Sequence, residues 1–337
     1  MNIMTIFART LTPFATRCLC AGVLAALLSA CEAPLNLEQV EAEKARELRR
    51  YDMLQAAAHA GDRVAVVSSI GAVVTSDDSG ASWQRHELPG RPSLIDVTAC
   101  DTGEFIALDS ERRVWLRKSD GEGWVSSAVD TPENTLSIHC APNGRIWISA
   151  SFGTLYWSDV SLSNWTEFSL YEDLQFTAVR FVDDVNGFAV GEFGTVMVSS
   201  DGGDNWTLKK DLSNEFPSQD IVYCAAYEPT THNIVVGTMP SSQVWLSQNG
   251  GDTWAKVLQL DYQYISSLIY SPDEDAFILT HTGGTYAEIW KSTNGGDTWT
   301  LKQTLNQPTD DRKRAGDLVY NSDTDWIHFS TREQSPW

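Results

Sequence analysis

Basic residues are scarce in this chain of 337 residues. It contains 24 Lys and Arg against 45 Asp and Glu, which gives a formal net charge of −21 at pH 7. Such a surface opposes binding to nucleic acid and adsorption to anionic lipid, because both are negatively charged. The acidic balance identifies no partner, since it also keeps a protein soluble.

An apolar stretch near the N-terminus, residues 19–28, is too short to span a bilayer as a helix. Arg9 and Arg17 lie in the first thirty residues, and no acidic residue accompanies them. This combination of a basic start and a short apolar run is typical of a secretory signal. We therefore predict a signal peptide over residues 1–30.

The end of that segment, Leu-Ser-Ala-Cys at residues 28–31, resembles the lipobox of bacterial lipoproteins. The resemblance implies that Cys31 is lipidated, palmitate included, and that its acyl chains hold the mature protein on a membrane. Because Glu32 rather than aspartate follows, it also implies the periplasmic face of an outer membrane. The alternative is an ordinary signal peptide with an incidental cysteine. Residues 31–50 are then the acylated tether with a short helix, and residues 51–337 form the folded domain.

Cysteine is rare, and three of the six lie at or before position 31. The other three are Cys100, Cys140 and Cys224, an odd number for an oxidising compartment. All three fall in corresponding strands of the repeats described below, which favours small apolar core residues. A bridge between Cys100 and Cys140 is the alternative, and it requires neighbouring inner strands to approach within disulfide distance.

Recognisable catalytic and metal-binding patterns are missing. The six histidines are scattered without metal-ligand spacing. The sequence contains no Ser-His-Asp order, no nucleophile elbow and no phosphate-binding loop. We therefore predict no metal and no cofactor, and the sequence favours a protein that is not an enzyme.

One motif recurs along most of the chain and sets its period. It reads Ser, any residue, Asp or Asn, any residue, Gly, any residue, Ser/Thr/Asn, Trp; we call it the box. Eroded copies end at Trp124 and Trp165, and the closing tryptophans lie 41, 41, 41, 48 and 45 residues apart. A fixed period of this size indicates a propeller or another repeat array. The four clear copies are Ser76–Trp83, Ser199–Trp206, Ser247–Trp254 and Ser292–Trp299.

The residue types of the box suit a turn between two strands. Asp or Asn accepts backbone N–H groups, Gly takes the left-handed conformation, and Trp covers the sheet. These needs predict a structural role rather than catalysis or metal binding. The residues so assigned are Ser76, Asp78, Gly80, Trp83, Ser199, Asp201, Gly203, Trp206, Ser247, Asn249, Gly251, Trp254, Ser292, Asn294, Gly296 and Trp299.

Between the boxes lie short β-rich runs separated by turn residues, four to each repeat. We therefore predict an all-β propeller of four-stranded blades, because radial closure hides the edges of so many sheets. In the clearest repeat the strands are 176–181, 187–192, 194–199 and 206–209. The blades are predicted near 51–90, 91–131, 132–171, 172–213, 214–260 and 261–305.

The C-terminal segments 317–322 and 325–331 match the first two strands of the sixth blade, 267–272 and 275–280. The match predicts a seven-bladed propeller with an incomplete last blade. The alternative is six blades plus a hairpin.

The boxes resemble the BNR or Asp-box repeat of sialidases, some glycosidases, sortilin-type receptors and the photosystem II stability/assembly factor family. The elements between them are most similar to that last family: residues 189–199 read as a small-residue strand, a glycine turn and an apolar strand entering the box. Looser copies occur at 151–155 and 69–73. The resemblance covers about residues 51–331 and implies a propeller that binds protein partners. The Arg-Ile-Pro element that precedes the first box of sialidases is missing here.

The loops opposite the boxes are the predicted partner-binding face. Exposed aromatic residues and arginine are enriched at protein interfaces, and these loops carry several of them. The candidate partner surface comprises Tyr171, Phe216, Tyr262, Tyr264, Tyr286, Arg312, Lys313 and Arg314.

Together, the leader and the repeats predict a non-catalytic, lipid-anchored propeller that acts as an assembly, stability or scaffold factor for a membrane-associated protein complex. The alternative is a carbohydrate-active hydrolase or a glycan-binding module. Acids are plentiful, and a two-carboxylate site depends on distances in space rather than in sequence.

Overall fold

Strands account for nearly all of the regular structure in the computed structural model. Two compact units are distinguished, Met1–Arg46 and Glu47–Trp337. The structure describes residues 37–49, 52–119, 123–211, 220–261, 264–272, 274–283, 286–306, 315–320 and 326–330.

In the described part of the first unit, residues 37–46, the chain forms a short helix, α1 (Glu38–Lys44). Glu38 and Glu41 lie in its first turn and Lys44 lies in its last, which complements the helix dipole. The Lys44 ammonium is 3.2 Å from the Glu41 carboxylate, an exposed ion pair that contributes little to stability. The predicted signal segment and Cys31 lie outside the described residues.

The second unit contains six antiparallel sheets of four strands, each in chain order. Blade 1 comprises β1 to β4: Leu54–Ala60, Arg63–Ser68, Ala72–Ser76 and Gln84–Glu87. Blade 2 comprises β5 to β8: Leu94–Ala99, Phe105–Asp109, Arg113–Arg117 and Val125–Ala128. Blade 3 comprises β9 to β12: Thr135–Cys140, Ile146–Ala150, Thr154–Ser158 and Thr166–Ser169.

The other three blades repeat this plan. Blade 4 comprises β13 to β16: Phe176–Phe181, Gly187–Gly191, Thr195–Ser199 and Thr207–Asp211. Blade 5 comprises β17 to β20: Ile221–Glu228, Asn233–Met239, Gln243–Ser247 and Ala255–Gln259. Blade 6 comprises β21 to β24: Tyr264–Ser271, Ala276–Gly283, Tyr286–Ser292 and Thr300–Asn306. The prediction of four-stranded blades is confirmed.

Burial falls from the centre of each blade to its outer edge. Strands β2, β6, β10 and β14 are almost wholly buried, whereas the fourth strands β4, β8 and β12 are short and largely exposed. The first strands of successive blades contact one another, and the five largest hydrophobic clusters are each shared by two neighbouring blades. Most of the core is therefore a series of seams between blades.

The seven-bladed prediction is wrong, and the alternative of six blades plus a hairpin fits. Strands β25 (Ala315–Tyr320) and β26 (Trp326–Ser330) form a separate two-stranded sheet, and β25 contacts β1 and β21. The match between 317–331 and blade 6 reports the local pattern of two strands. A blade also needs a third and a fourth strand joined by a box turn, and the pattern of two strands does not predict that second pair.

Cys100 and Cys140 form a disulfide with a Cα–Cα distance of 5.2 Å. The interpretation of both as reduced core residues is therefore wrong. The bridge forms because β5 and β9 are adjacent inner strands. A side chain of blade 2 also binds the backbone of blade 3, since the Cys140 N–H donates to Thr98 Oγ1 at 3.0 Å. Cys224 takes no part in a disulfide.

Candidate protein-binding surfaces

The order of the antiparallel strands divides the turns between two faces. Turns from strand 1 to 2 and from strand 3 to 4 lie on one face, which we call the box face. Turns from strand 2 to 3 and the connections between blades lie on the opposite face. The faces differ in the chemistry of their turns.

On the box face, Ser199 and Asp201 hold the turn of blade 4. Ser199 Oγ donates to Asp201 Oδ1 at 2.9 Å and accepts the Gly203 N–H at 2.9 Å. Asp201 also accepts the backbone N–H and the side-chain amide of Asn205, at 2.9 and 2.7 Å. Blade 1 repeats this arrangement around Asp78. The box side chains are thus engaged within their own turns.

Blades 5 and 6 use asparagine for the same purpose, with one bond reversed. Asn249 Oδ1 accepts the Thr253 N–H at 2.9 Å, while the Asn249 side-chain amide donates to the Thr253 hydroxyl at 2.9 Å. Asn294 and Thr298 repeat the pattern. The side chain four positions after the box Asp donates a hydrogen bond to the carboxylate, whereas the hydroxyl four positions after the box Asn accepts one from the amide. A negative charge is therefore not required to close the turn.

Where the box carries aspartate, hydrogen bonding stabilises the ionised form. The Ser82 side chain and backbone lower the pKa of Asp78, and those of Asn205 lower the pKa of Asp201, in each case below the usual 3.8. Both carboxylates are ionised at neutral pH and act only as acceptors.

The box of blade 4 also packs against blade 3. A Cβ atom at Gly203, where φ is 91°, would lie 2.1 Å from the Trp147 ring, so only glycine fits. Arg145 donates to the Gly202 carbonyl and the Asp204 carboxylate, both at 2.7 Å, and its guanidinium lies over Trp157. The box therefore joins neighbouring blades as well as closing its own hairpin.

Trp206 completes this seam. Its ring meets Trp147 and Phe181 edge-on, with centroid distances of 5.6 and 5.7 Å, and those two rings stack on each other at 5.2 Å. Aromatic contacts of this geometry add to the free energy of burial.

Of the predicted partner surface, the structure places Tyr171 clearly. It lies on the opposite face between blades 3 and 4, is 81% exposed, and donates its hydroxyl to Glu167 Oε1 at 3.0 Å. Tyr264 and Tyr286 begin strands β21 and β23. The other members lie outside the described residues: Phe216, Tyr262, Arg312, Lys313 and Arg314.

Phe152 and Phe193 lie on the same face and were missed by the sequence reasoning. They are 54% and 55% exposed, in the strand 2 to 3 turns of blades 3 and 4. The sequence signal was a phenylalanine directly before the turn glycine, where a polar residue is usual. The repeat pattern is defined by the turn glycine, and the residue that precedes the glycine is not part of it.

Exposed carboxylates lie near Tyr171 along the chain. Glu167, Glu172 and Asp173 are exposed, and Tyr156 donates its hydroxyl to Glu133 while lying 3.4 Å from Glu167 Oε2. Burial opposes ionisation of Glu133, but hydrogen bonds from Thr131 and Tyr156 outweigh it and lower its pKa. This part of the surface is therefore both aromatic and anionic.

The box face carries a groove between blades 4, 5 and 6. Two adjoining cavities of about 300 and 290 Å³ share Val182, Phe188 and Tyr227 in their walls. Burial raises the pKa of Tyr227 to about 12, so its hydroxyl is protonated and bonds His232. The nearby Lys209 ammonium is paired with Asp252 at 3.0 Å. The cavity that reaches blade 6 is lined mainly by apolar and aromatic residues, whereas the cavity between blades 4 and 5 is lined about equally by polar and apolar groups.

Within the described residues, no group of three or more His, Cys, Asp and Glu is placed to hold a metal ion. Over the same residues, no helix is long and apolar enough to cross a membrane.

The ring of antiparallel four-stranded sheets defines an all-β propeller. The chain belongs to the DUF6242 β-propeller family, whose domain model matches residues 104–334, more than half of the chain.

Curated relatives extend this assignment. The chain is 25% identical over 154 residues to the photosystem II assembly protein Ycf48 of Thermosynechococcus vestitus, covering 44% of each protein. It is 24% identical over 148 residues to the photosystem II assembly lipoprotein Ycf48 of Parasynechococcus marenigrum, covering 42% of this chain and 44% of the relative. The matches thus span less than half the length of these relatives.

Solved structures share the fold over most of the chain. A Ycf48 structure with a bound D1 peptide superimposes with a TM-score of 0.64 at 14% identity, covering 86% of this chain and 93% of that chain. The RRP9 WD40 repeats give a TM-score of 0.65 at 9% identity, covering 86% and 92%. The sequence resemblance to the assembly-factor type of propeller is confirmed, and these structures establish the fold alone.

Proposed function

We propose that this protein is a non-catalytic, lipid-anchored propeller that binds a protein partner and acts as an assembly or stability factor for a membrane-associated complex. The observation that carries the proposal is the similarity to Ycf48 in both sequence and fold. The matching Ycf48 structure holds a D1 peptide, which supports the binding of a polypeptide partner. The partner here need not be a photosystem, because the matched region covers less than half of the curated relatives.

The proposed location is the cell envelope, anchored through Cys31. The lipobox-like sequence at 28–31 supports it, as do relatives named lipoproteins. The Cys100–Cys140 bridge adds independent support, since disulfides persist in the periplasm and are rare in the cytosol. A Cys31→Ser variant should lose incorporation of labelled palmitate and move from the membrane to the soluble fraction.

Crosslinking in intact cells tests the function. Affinity-tagged protein is crosslinked, purified from solubilised membranes and compared with an equally expressed, unrelated lipoprotein. We expect the tagged propeller to recover subunits of one membrane complex that the control does not recover. Recovery of only abundant lipoproteins by both baits would contradict an assembly role.

One observation favours a second candidate, a glycan-binding module or hydrolase. Glu133 and Glu167 both face the Tyr156 hydroxyl, and the hydroxyl of the exposed Tyr171 donates to Glu167. Carboxylates beside an exposed aromatic ring can hold a sugar, and a carboxylate pair can cleave one. Turnover on a glycan panel that is lost in Glu133→Gln would establish this alternative and replace the assembly proposal.

A further inference from the structure

Three exposed aromatic side chains lie on adjoining turns of the opposite face, and we call them the aromatic patch: Phe152, Tyr171 and Phe193. They are 54%, 81% and 55% exposed. They occupy the strand 2 to 3 turns of two neighbouring blades and the connection between those blades. Single exposed apolar residues are ordinary, but three large rings on adjoining turns mark an interaction surface.

The backbone of the aromatic patch is unusual. Its residues Phe152, Tyr171 and Phe193 have φ values of 58°, 54° and 56°, in the left-handed region that bulky side chains rarely adopt. Asn or Gly would suit this backbone better. The corresponding turns of blades 2 and 5 have the same backbone with Arg112 and Ser242, whose φ values are 64° and 54°, so an aromatic ring is not required to form such a turn.

The patch is held rigidly by the connection 170–175. The Gly153 N–H donates to the Leu174 carbonyl at 2.7 Å, and the Leu170 N–H donates to the Gly153 carbonyl at 3.0 Å. At the other end, the Glu192 N–H donates to the Gln175 carbonyl at 3.0 Å. One connection is therefore bonded to both turns that carry phenylalanine. A surface fixed in advance loses little conformational entropy on binding.

The charge around the patch indicates the kind of partner. Glu167, Glu172 and Asp173 are exposed beside Tyr171, and the Glu192 carboxylate accepts the Gln175 N–H at 2.9 Å. Lysine and arginine are attracted to the faces of aromatic rings, and arginine also binds carboxylates through two parallel hydrogen bonds. An anionic lipid surface would be repelled by the same acids.

We infer that the aromatic patch and its neighbouring carboxylates dock an extended, arginine- or lysine-bearing segment of a protein partner. Its cationic side chains lie over the rings and pair with Glu167, Glu172 and Asp173. The inference deepens the proposed function and rests on it, since it specifies the chemistry of the polypeptide that the propeller binds.

Peptide titration tests the inference with the full folded domain. The probe is a fluorescein-labelled peptide of twelve residues with four arginines, two leucines and six serines, and glutamate replaces arginine in the comparison peptide. Phe152→Asn/Phe193→Asn and Tyr171→Ser remove rings without changing the net charge. Val185→Ser is the matched control, because Val185 is also an exposed apolar turn residue, 46% exposed, but lies on the box face.

We expect the arginine peptide to bind and the glutamate peptide not to bind. Tyr171→Ser should weaken arginine-peptide binding about two- to fivefold, and the double phenylalanine variant about five- to thirtyfold, as the loss of one and two exposed cation–π contacts predicts. Val185→Ser should bind like the unaltered protein. Equal binding by all four proteins would overturn the inference, because attraction would then depend on net charge alone.

Two further measurements separate the remaining outcomes. Binding to vesicles of phosphatidylcholine and phosphatidylglycerol that needs the same rings would overturn the inference in favour of a membrane surface, and ring-dependent binding on a glycan panel would overturn it in favour of a sugar. If crosslinking recovers a complex equally with the ring variants, the inference fails while the proposed function stands. If crosslinking recovers no membrane complex, and the arginine peptide nevertheless binds in a way that depends on the rings, the inferred surface stands and the assembly role fails.

Discussion

The box face and the opposite face differ in how their turns are made. On the box face, Asp78, Asp201, Asn249 and Asn294 are each bonded within the turn, and boxes also join neighbouring blades. On the opposite face, Phe152, Tyr171 and Phe193 project into solvent from strained backbone. The repeated residues of the boxes therefore serve the fold, and the irregular residues of the opposite face are free to serve recognition.

The largest expected effect is on the box face. Trp206→Ala removes the ring that packs against Trp147 and Phe181 and should lower the free energy of unfolding by about 3 to 5 kcal/mol. Tyr171→Ala, on the opposite face, should change it by less than about 0.5 kcal/mol. Urea unfolding of both variants measures the contrast. If both variants lose the same free energy of unfolding, the two faces do not differ in their contribution to stability.

Removing the inter-blade disulfide should have the next largest effect. Cys100→Ala/Cys140→Ala opens a loop closed over a sequence separation of 40 residues and should lower the free energy of unfolding by about 2 to 4 kcal/mol. The unaltered protein treated with dithiothreitol should show the same lower melting temperature. A melting temperature that does not respond to reductant or to substitution would show that blades 2 and 3 need no covalent link.

The box carboxylates should make stability depend on pH in a defined direction. The pKa values of Asp78 and Asp201 are lowered in the folded state, so their contribution is complete above about pH 4 and is lost as pH falls through the folded pKa. The midpoint of urea unfolding of the unaltered protein should fall between pH 5 and pH 3. In the Asp78→Asn/Asp201→Asn variant, this fall should be smaller than in the unaltered protein.

Asp101→Asn, an exposed aspartate of blade 2, is the control for this acid dependence. It should leave the difference between the two midpoints unchanged. If Asp101→Asn narrows it as much as the double box variant does, the acid dependence reflects net charge rather than box hydrogen bonds.

The smallest effect, with the opposite sign, is expected at the aromatic patch. Phe152→Asn/Phe193→Asn should keep the free energy of unfolding unchanged or raise it by about 1 kcal/mol, because Asn adopts a positive φ more readily than Phe. Calorimetric melting checks this. A loss of more than about 2 kcal/mol would mean that the rings support the fold and that the two faces are not divided by role.

Much of the fold followed from local pattern. Strand alternation and turn residues placed the four strands of blade 4 within a residue or two of Phe176–Phe181, Gly187–Gly191, Thr195–Ser199 and Thr207–Asp211. These signals are local because a hairpin is specified by its own turn and its own period of two. The number of blades was mistaken because two good strands at 315–330 do not amount to a blade.

The candidate site was less accessible to prediction. Tyr171 was found because an aromatic residue in a connection stands out, whereas Phe152 and Phe193 were hidden beside their turn glycines. Their shared surface exists only because the connection 170–175 is bonded to both turns. The box-face groove around Tyr227 was missed for the same reason, since its walls come from different blades.

The repeat, the strand order and the chemistry of each box follow from local sequence, because hydrogen bonds between residues two to four positions apart depend on the local chain alone. Tertiary structure decided what depends on neighbouring blades. The Cys100–Cys140 bridge, the fit of Gly203 against Trp147, the count of six blades and the placement of three exposed rings on adjoining turns all depend on residues that are distant along the chain. Such contacts depend on the angle and spacing at which blades pack, which no single repeat encodes.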